Sequence, residues 1–178
     1  MPLVKINSGA IQDSTIVGAD LTPNLSFSMI KVTENANLNS TAPSGNINID
    51  VLNNTVYYFS SNTTANVTFN LRGNNNTRLD AAMSTGDSIS VAVALRHANT
   101  TGGRHAANVY IDGGLIATTR ATPDAAGGNI IYYGANTQPV HSSLTQGLEL
   151  NMFGVTVIKR AANSYLVLQS NTIFGLGY

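Results

Sequence analysis

The sequence predicts an all-β protein: a single β-sandwich of jelly-roll type, with one short helix and an N-terminal arm. Three observations carry this. Stretches of alternating polar and apolar residues recur along most of the chain. Gly, Asn and Asp cluster between them, as tight turns require. One segment, Thr77 to Ser84, has the start and stop signals of a helix.

Residues 1–25 are expected to form an attachment or intersubunit arm, and residues 26–178 the sandwich. Ile6, Ile11, Ile16, Val17 and Leu21 demand burial, yet their spacing fits neither a helix nor a strand. Gly9, Gly18 and Pro23 break any long element. Such a segment gains by lying extended on a partner, its side chains in pockets and its backbone on a strand edge. The competing arrangement is a first strand of the same sandwich.

Strands are expected from there on. Phe27, Met29 and Ile30 begin a short one. Asn46 to Val51 alternates strictly, and Asn53-Asn54 offers a hairpin turn into Thr55–Phe59. Asn66 to Leu71 sets Val67, Phe69 and Leu71 on one face. The helix over Thr77–Ser84 has Asn76 or Thr77 as cap, Asp80 in its first turn and Gly86 as its stop.

Ser88 to Leu95 puts Ile89, Val91, Val93 and Leu95 on one face. Ser88, Ser90, Ala92 and Ala94 fill the other, which suggests close packing by another layer or subunit. Val109–Ile111, Asp112-Gly113-Gly114 and Leu115–Ala117 read as a tight hairpin, because Gly supplies the positive φ of the turn. Ile130 to Tyr133 is short. Leu148 to Ile158 changes phase near Met152-Phe153, which predicts a β-bulge or a bend between sheets. Ser164 to Leu168 closes the set. The expected core comprises Val67, Phe69, Leu71, Ile89, Val91, Val93, Val155 and Val157.

Composition narrows the function. Of 178 residues, 43% are hydrophobic but only 10% are charged, against roughly 25% in an average protein. Few charges need desolvation when such a surface is covered by neighbours. The formal net charge is zero, so no broad pull toward nucleic acid or an anionic membrane is expected. No apolar run approaches the length that spans a bilayer. Cysteine is absent, so neither disulfides nor thiolate metal sites contribute.

Chemistry is hard to find. His97, His105 and His141 follow no metal-ligand spacing. There is no Gly-x-Ser-x-Gly elbow, and neither Gly102-Gly103 nor Gly127-Gly128 ends in the Lys and hydroxyl of a phosphate loop. Most carboxylates fall at expected turns or helix ends, where capping explains them. Asp50 and Glu149 read as solvent-side strand residues. Tyr57, Tyr58, Tyr110, Tyr132 and Tyr133 have the chemistry to stack on a glycan. Without Trp, packing explains them better, half of each tyrosine pair in the core and half at an interface. No catalysis, no metal and no cofactor are expected.

The stretch "NVTFNLRGNNNTRLDAAMSTGDSISVAVAL" (Asn66–Leu95) resembles a family of small virion structural proteins of marine tailed bacteriophages, notably cyanophages. The shared pattern is a strand ending in Arg-Gly-Asn, a short helix with Leu and Met, then a Val/Ala-rich strand. "NVYIDGG" (Asn108–Gly114) is similar to that family's short hairpin, and "FGVTVIKRAANSYLVLQSNTIFG" (Phe153–Gly175) to its terminal strand pair. The family often carries a Trp before that pair; this chain has "IIYYGANTQPVHSS" there.

The resemblance implies a non-enzymatic particle component located in the virion: a capsid decoration or cement subunit on the head surface. Its partners would be the major capsid protein or other virion proteins, and further copies of itself as a homo-oligomer, a trimer among the options. The alternative is a tail fibre or tail-associated trimeric subunit with glycan-binding loops, since "INSGAIQDSTIVGADL" resembles the lead-ins of some phage fibre proteins. A free carbohydrate-binding module is the reading from another class.

Overall fold

The computed structural model describes residues 34–63, 65–97, 104–115, 129–134, 139–142 and 149–175. The arm residues Ile6, Ile11, Ile16, Val17 and Leu21 lie outside them, as do the strand expected at Phe27–Ile30 and the pairs Gly102-Gly103 and Gly127-Gly128. All the described elements fall in one unit, Glu34–Tyr178.

The described chain is all-β apart from one helical turn. In order come β1 (Ala36–Asn39), β2 (Gly45–Asp50), β3 (Val56–Thr63), β4 (Val67–Arg72), α1 (Leu79–Ala82), β5 (Ser88–His97), β6 (Arg104–Ile111), β7 (Gly114–Leu115), β8 (Ile130–Tyr133), β9 (Val140–Ser142), β10 (Leu150–Ala161) and β11 (Ser164–Phe174). A first sheet has the order β1-β3-β5-β10-β11-β8. A second has β2-β4-β6-β7, with β9 also on β6.

Through β6 the chain alternates between the two sheets. Each strand lies parallel beside the one two places earlier: β3 on β1, β5 on β3, β4 on β2, β6 on β4. With the parallel β8–β11 pair, these pairings make the sheets mixed and parallel-rich. A jelly roll, by contrast, pairs its strands antiparallel.

This course corrects the hairpin expected at Asn53-Asn54. Those residues carry the chain from β2 in one sheet to β3 in the other, and the Asp50 carbonyl accepts from both amides at 3.0 and 3.1 Å. Alternation fixes which way a side chain points but not which strand lies beside it. Two half-buried strands can sit side by side or face one another across a core.

Both sheets contribute to one core. Ile47, Phe69 and Val109 stand in one row of the second sheet, Ile49, Leu71 and Ile111 in the next. Tyr57, Val93 and Phe153 form a row of the first sheet. All nine are buried in a single apolar cluster. The Phe69 and Phe153 rings meet edge to face, 5.3 Å apart, a favoured arrangement for aromatic pairs. Of the expected core residues, Ile89 is partly buried and the other seven are buried.

The phase change expected near Met152-Phe153 does not occur. The β10–β5 ladder runs unbroken from Leu150–Arg96 to Ile158–Ser88. Phe153, Val155 and Val157 point to the core, and Leu150 and Met152 alternate with them toward the outside. The sequence suggests a switch only because both faces of β10 are apolar. The register irregularity in the β10–β11 hairpin falls later, between Lys159 and Ala161.

Candidate functional site

Two of the polar residues singled out by the sequence, Asp80 and Asp112, converge around one tight turn and one short helix. Asp112 and Gly113 join β6 to β7 with φ of 50° and 83°, the left-handed pair that a two-residue hairpin needs. The hairpin expected from the sequence is therefore present. Its turn also reaches beyond the hairpin. Asp112 Oδ1 accepts from the Leu79 amide at 2.7 Å, Oδ2 from the Asp80 amide at 3.3 Å, and Arg78 Nε lies 3.4 Å from Oδ2.

The helix is thus capped from a distant segment. Its expected local caps, Asn76 and Thr77, are not used. The N-cap position is Arg78, which makes no side-chain cap bond, and the helix spans Leu79–Ala82 in place of Thr77–Ser84. An acceptor is needed because the first amides of a helix have no partner within it, and a carboxylate also suits the positive end of the helix.

A second cluster holds the helix from the other side. Asp80 Oδ1 accepts from the Asn163 amide at 2.7 Å and the Tyr165 hydroxyl at 2.9 Å, and lies 3.0 Å from Lys159 Nζ. Lys159 Nζ also donates to the Met83 carbonyl at 2.9 Å and to that of Asp80. The Asn163 amide, then Lys159 and Tyr165, hold the Asp80 carboxyl down at about 2. Burial, reinforced by Asp80, pushes the Tyr165 hydroxyl above its usual range.

The chemistry of this cluster is anchorage. Asp80 stays ionised, Lys159 is tied to a carboxylate and two carbonyls, and the protonated Tyr165 hydroxyl donates a hydrogen bond to Asp80. Sequence reasoning passed over Lys159, although a signal was present. It continues the inward series Phe153, Val155, Val157, so a buried partner was required.

The third cluster lies along the edge of the second sheet. Arg72 Nε sits 2.5 Å from Asp50 Oδ1. The Tyr57 hydroxyl accepts from the Asp50 amide at 2.8 Å and donates to the Asp50 carbonyl at 3.2 Å. Burial, the largest influence, raises the Tyr57 hydroxyl. Asp50 stays on the outer face of β2, partly exposed beside Arg72. Glu149, by contrast, expected on a solvent face, is buried just before β10, which corrects that expectation.

A concavity of about 530 Å³ opens beside these groups, lined by Asn70, Arg72, Asn74, Thr77, Arg78 and Asp112 among others. Asn70 is braced on both sides. Its amide donates to Asn48 Oδ1 at 2.8 Å, and its carbonyl accepts from the Gly113 amide at 2.8 Å. Gly73 forms the bend after β4. A Cβ there would stand 2.7 Å from the Thr77 carbonyl oxygen, which explains Gly in the Arg-Gly-Asn stretch.

In each tyrosine pair one side chain is more buried than the other, and of the four only Tyr57 belongs to the core. Tyr57 is buried and Tyr58 half-buried; Tyr133 is half-buried and Tyr132 exposed. Among the described residues no three His, Asp or Glu come together in a metal-binding group. Comparisons with protein-family models, curated proteins and solved structures give no match.

Proposed function

We propose that this chain is a structural protein of a tailed-phage virion: a decoration or cement subunit on the head surface, held by the major capsid protein or other virion proteins. The observation that carries the reading is the resemblance of Asn66–Leu95, Asn108–Gly114 and Phe153–Gly175 to marine-phage virion proteins. Those blocks supply β4, α1, β5, the β6–β7 turn and the β10–β11 hairpin. They are the segments that Asp112 and Asp80 tie together, so the resemblance covers one cooperating part of the fold.

The polar groups support the same reading. Asp50, Asp80 and Asp112 are each engaged in holding the fold, which suits a building block better than a catalyst. We read the two sheets as halves of a β-sandwich, because they share one core. The parallel runs β1-β3-β5 and β2-β4-β6 favour a coiled course through it over a jelly roll.

The opening "INSGAIQDSTIVGADL" favours a second reading, a subunit of the tail. Immunogold labelling of intact virions with antibodies to this chain tests the choice. Gold spread over the head is expected. Gold confined to the tail transfers the protein to the second reading, and unlabelled particles that still expose denatured epitopes on blots contradict surface decoration.

A further inference from the structure

The outer faces of the two sheets differ in chemistry. In the second sheet the outward rows are Asn46–Thr68–Asn108 and Asn48–Asn70–Tyr110, a polar face that water covers well. In the first sheet one outward row reads Leu38–Tyr58–Ala94–Met152–Thr172. The next reads Ala36–Val56–Ala92–Gly154–Ser170, followed by Ser90–Thr156–Leu168–Tyr132 and Ser88–Ile158–Leu166–Ile130. Leu150 and Phe174 close the far end.

Along these rows the sole charged side chain is Arg96, beside Leu150. Leu38 is 75% exposed, Tyr132 47%, Leu168 43% and Phe174 52%. A single exposed leucine needs no explanation, but a continuous sheet face of this composition does. It also accounts for the two apolar faces of β10.

We propose that this face is the contact between two copies of the chain, packed sheet on sheet about a two-fold axis. Three features select a second copy as the occupant. The first is size. Six strands at about 4.8 Å spacing, with the three long ones spanning nine rows, give roughly 600 Å² in projection. A stable pair buries about 800 Å² of accessible surface per partner, and accessible area exceeds its projection.

The second feature is charge. A face whose charges are few, Arg96 and, after Ile158 on β10, Arg160, on a chain of zero formal net charge, meets its own copy with little like-charge repulsion. A strongly basic or acidic partner would find few groups to pair with. The third is relief. Ala92, Gly154 and Ser170 form a low row beside the ridge of Leu38, Tyr58 and Met152. A concavity of about 350 Å³ continues the low ground toward β8, between Tyr132, Leu168 and Gly134. A two-fold axis along the strands sets the β1 edge of each copy, with its protruding Leu38, over the β8 side of the other. The contact of the β1 edge with the β8 side is then made twice, as a self-complementary interface requires. The pairing does not depend on the virion reading.

The test uses the full chain in sedimentation and light-scattering measurements over a dilution series. Wild type is expected at the mass of two copies. Leu168→Glu and Leu38→Glu, both at exposed positions, are each expected to give one copy while keeping the wild-type circular dichroism spectrum. Because the chain has no cysteine, single substitutions report contact directly. Thr156→Cys, at the centre of the face, is expected to cross-link copies with a short bis-maleimide; Thr68→Cys, on the polar face, is not. A wild-type mass of one or three copies, an oligomer that survives both glutamates, or cross-linking through position 68 in place of 156 overturns the proposal.

Discussion

The Asp112 carboxylate caps a helix that begins 33 residues earlier, accepting from the Leu79 amide at 2.7 Å. One residue thus has two duties. Its backbone makes the β6–β7 turn at φ 50°, and its side chain fixes α1 against that turn. The helix has only four residues, too few to stand without such a partner.

Substitutions at this position should separate the two duties. Asn tolerates the left-handed conformation and keeps one acceptor oxygen. Asp112→Asn is expected to be mild. Asp112→Ala loses the cap and strains the turn, so a loss of about 1–2 kcal/mol or more is expected. Urea unfolding of both variants checks the order.

Acid sensitivity should trace to Asp80. Its folded pKa of about 2 lies below the ordinary 3.8, so the unfolded chain binds more protons in that interval. Stability is therefore full above pH 4 and falls as pH drops through 2. Asp80→Asn should be less stable at neutral pH and should show a flatter stability–pH curve over that interval. Thermal melts across the acid range read both effects.

The edge-to-face pair of Phe69 and Phe153 joins the two sheets. Phe69 is fully buried, so Phe69→Ala is expected to cost about 3–5 kcal/mol. A near-zero change in urea unfolding would place the sheet contact elsewhere.

Much of the core was legible in the sequence, because alternation at Val67, Phe69 and Leu71 states which side chains face inward. The Asp112-Gly113 turn was legible for a similar reason: few residues adopt its conformation. Strand neighbours were not. Nothing in Asn53-Asn54 distinguishes a turn within a sheet from a crossing between sheets, and parallel pairing links residues too distant for local pattern to show.

Of the polar site, the short helix was visible and its fastening was not. Asp112 lies 33 residues from Leu79, and Asn163 lies 83 from Asp80. Such contacts are set by tertiary approach alone. The β10 misreading has another cause. A strand apolar on both faces mimics a phase change when one outer face is assumed to be polar.

The arm assigned to residues 1–25 makes a separable claim. The described elements form their own unit, Glu34–Tyr178. Deleting residues through Leu21 is therefore expected to leave the thermal midpoint in place and to abolish incorporation into particles. Unfolding of the truncated chain, or normal incorporation, would refute the arm.

Counting copies in the virion tests the central claim most directly. Quantitative mass spectrometry of purified particles measures this chain against the major capsid protein. A decoration or cement subunit is expected in numbers comparable to the capsid protein itself. A small fraction of that number, or absence from the particle, would contradict the account.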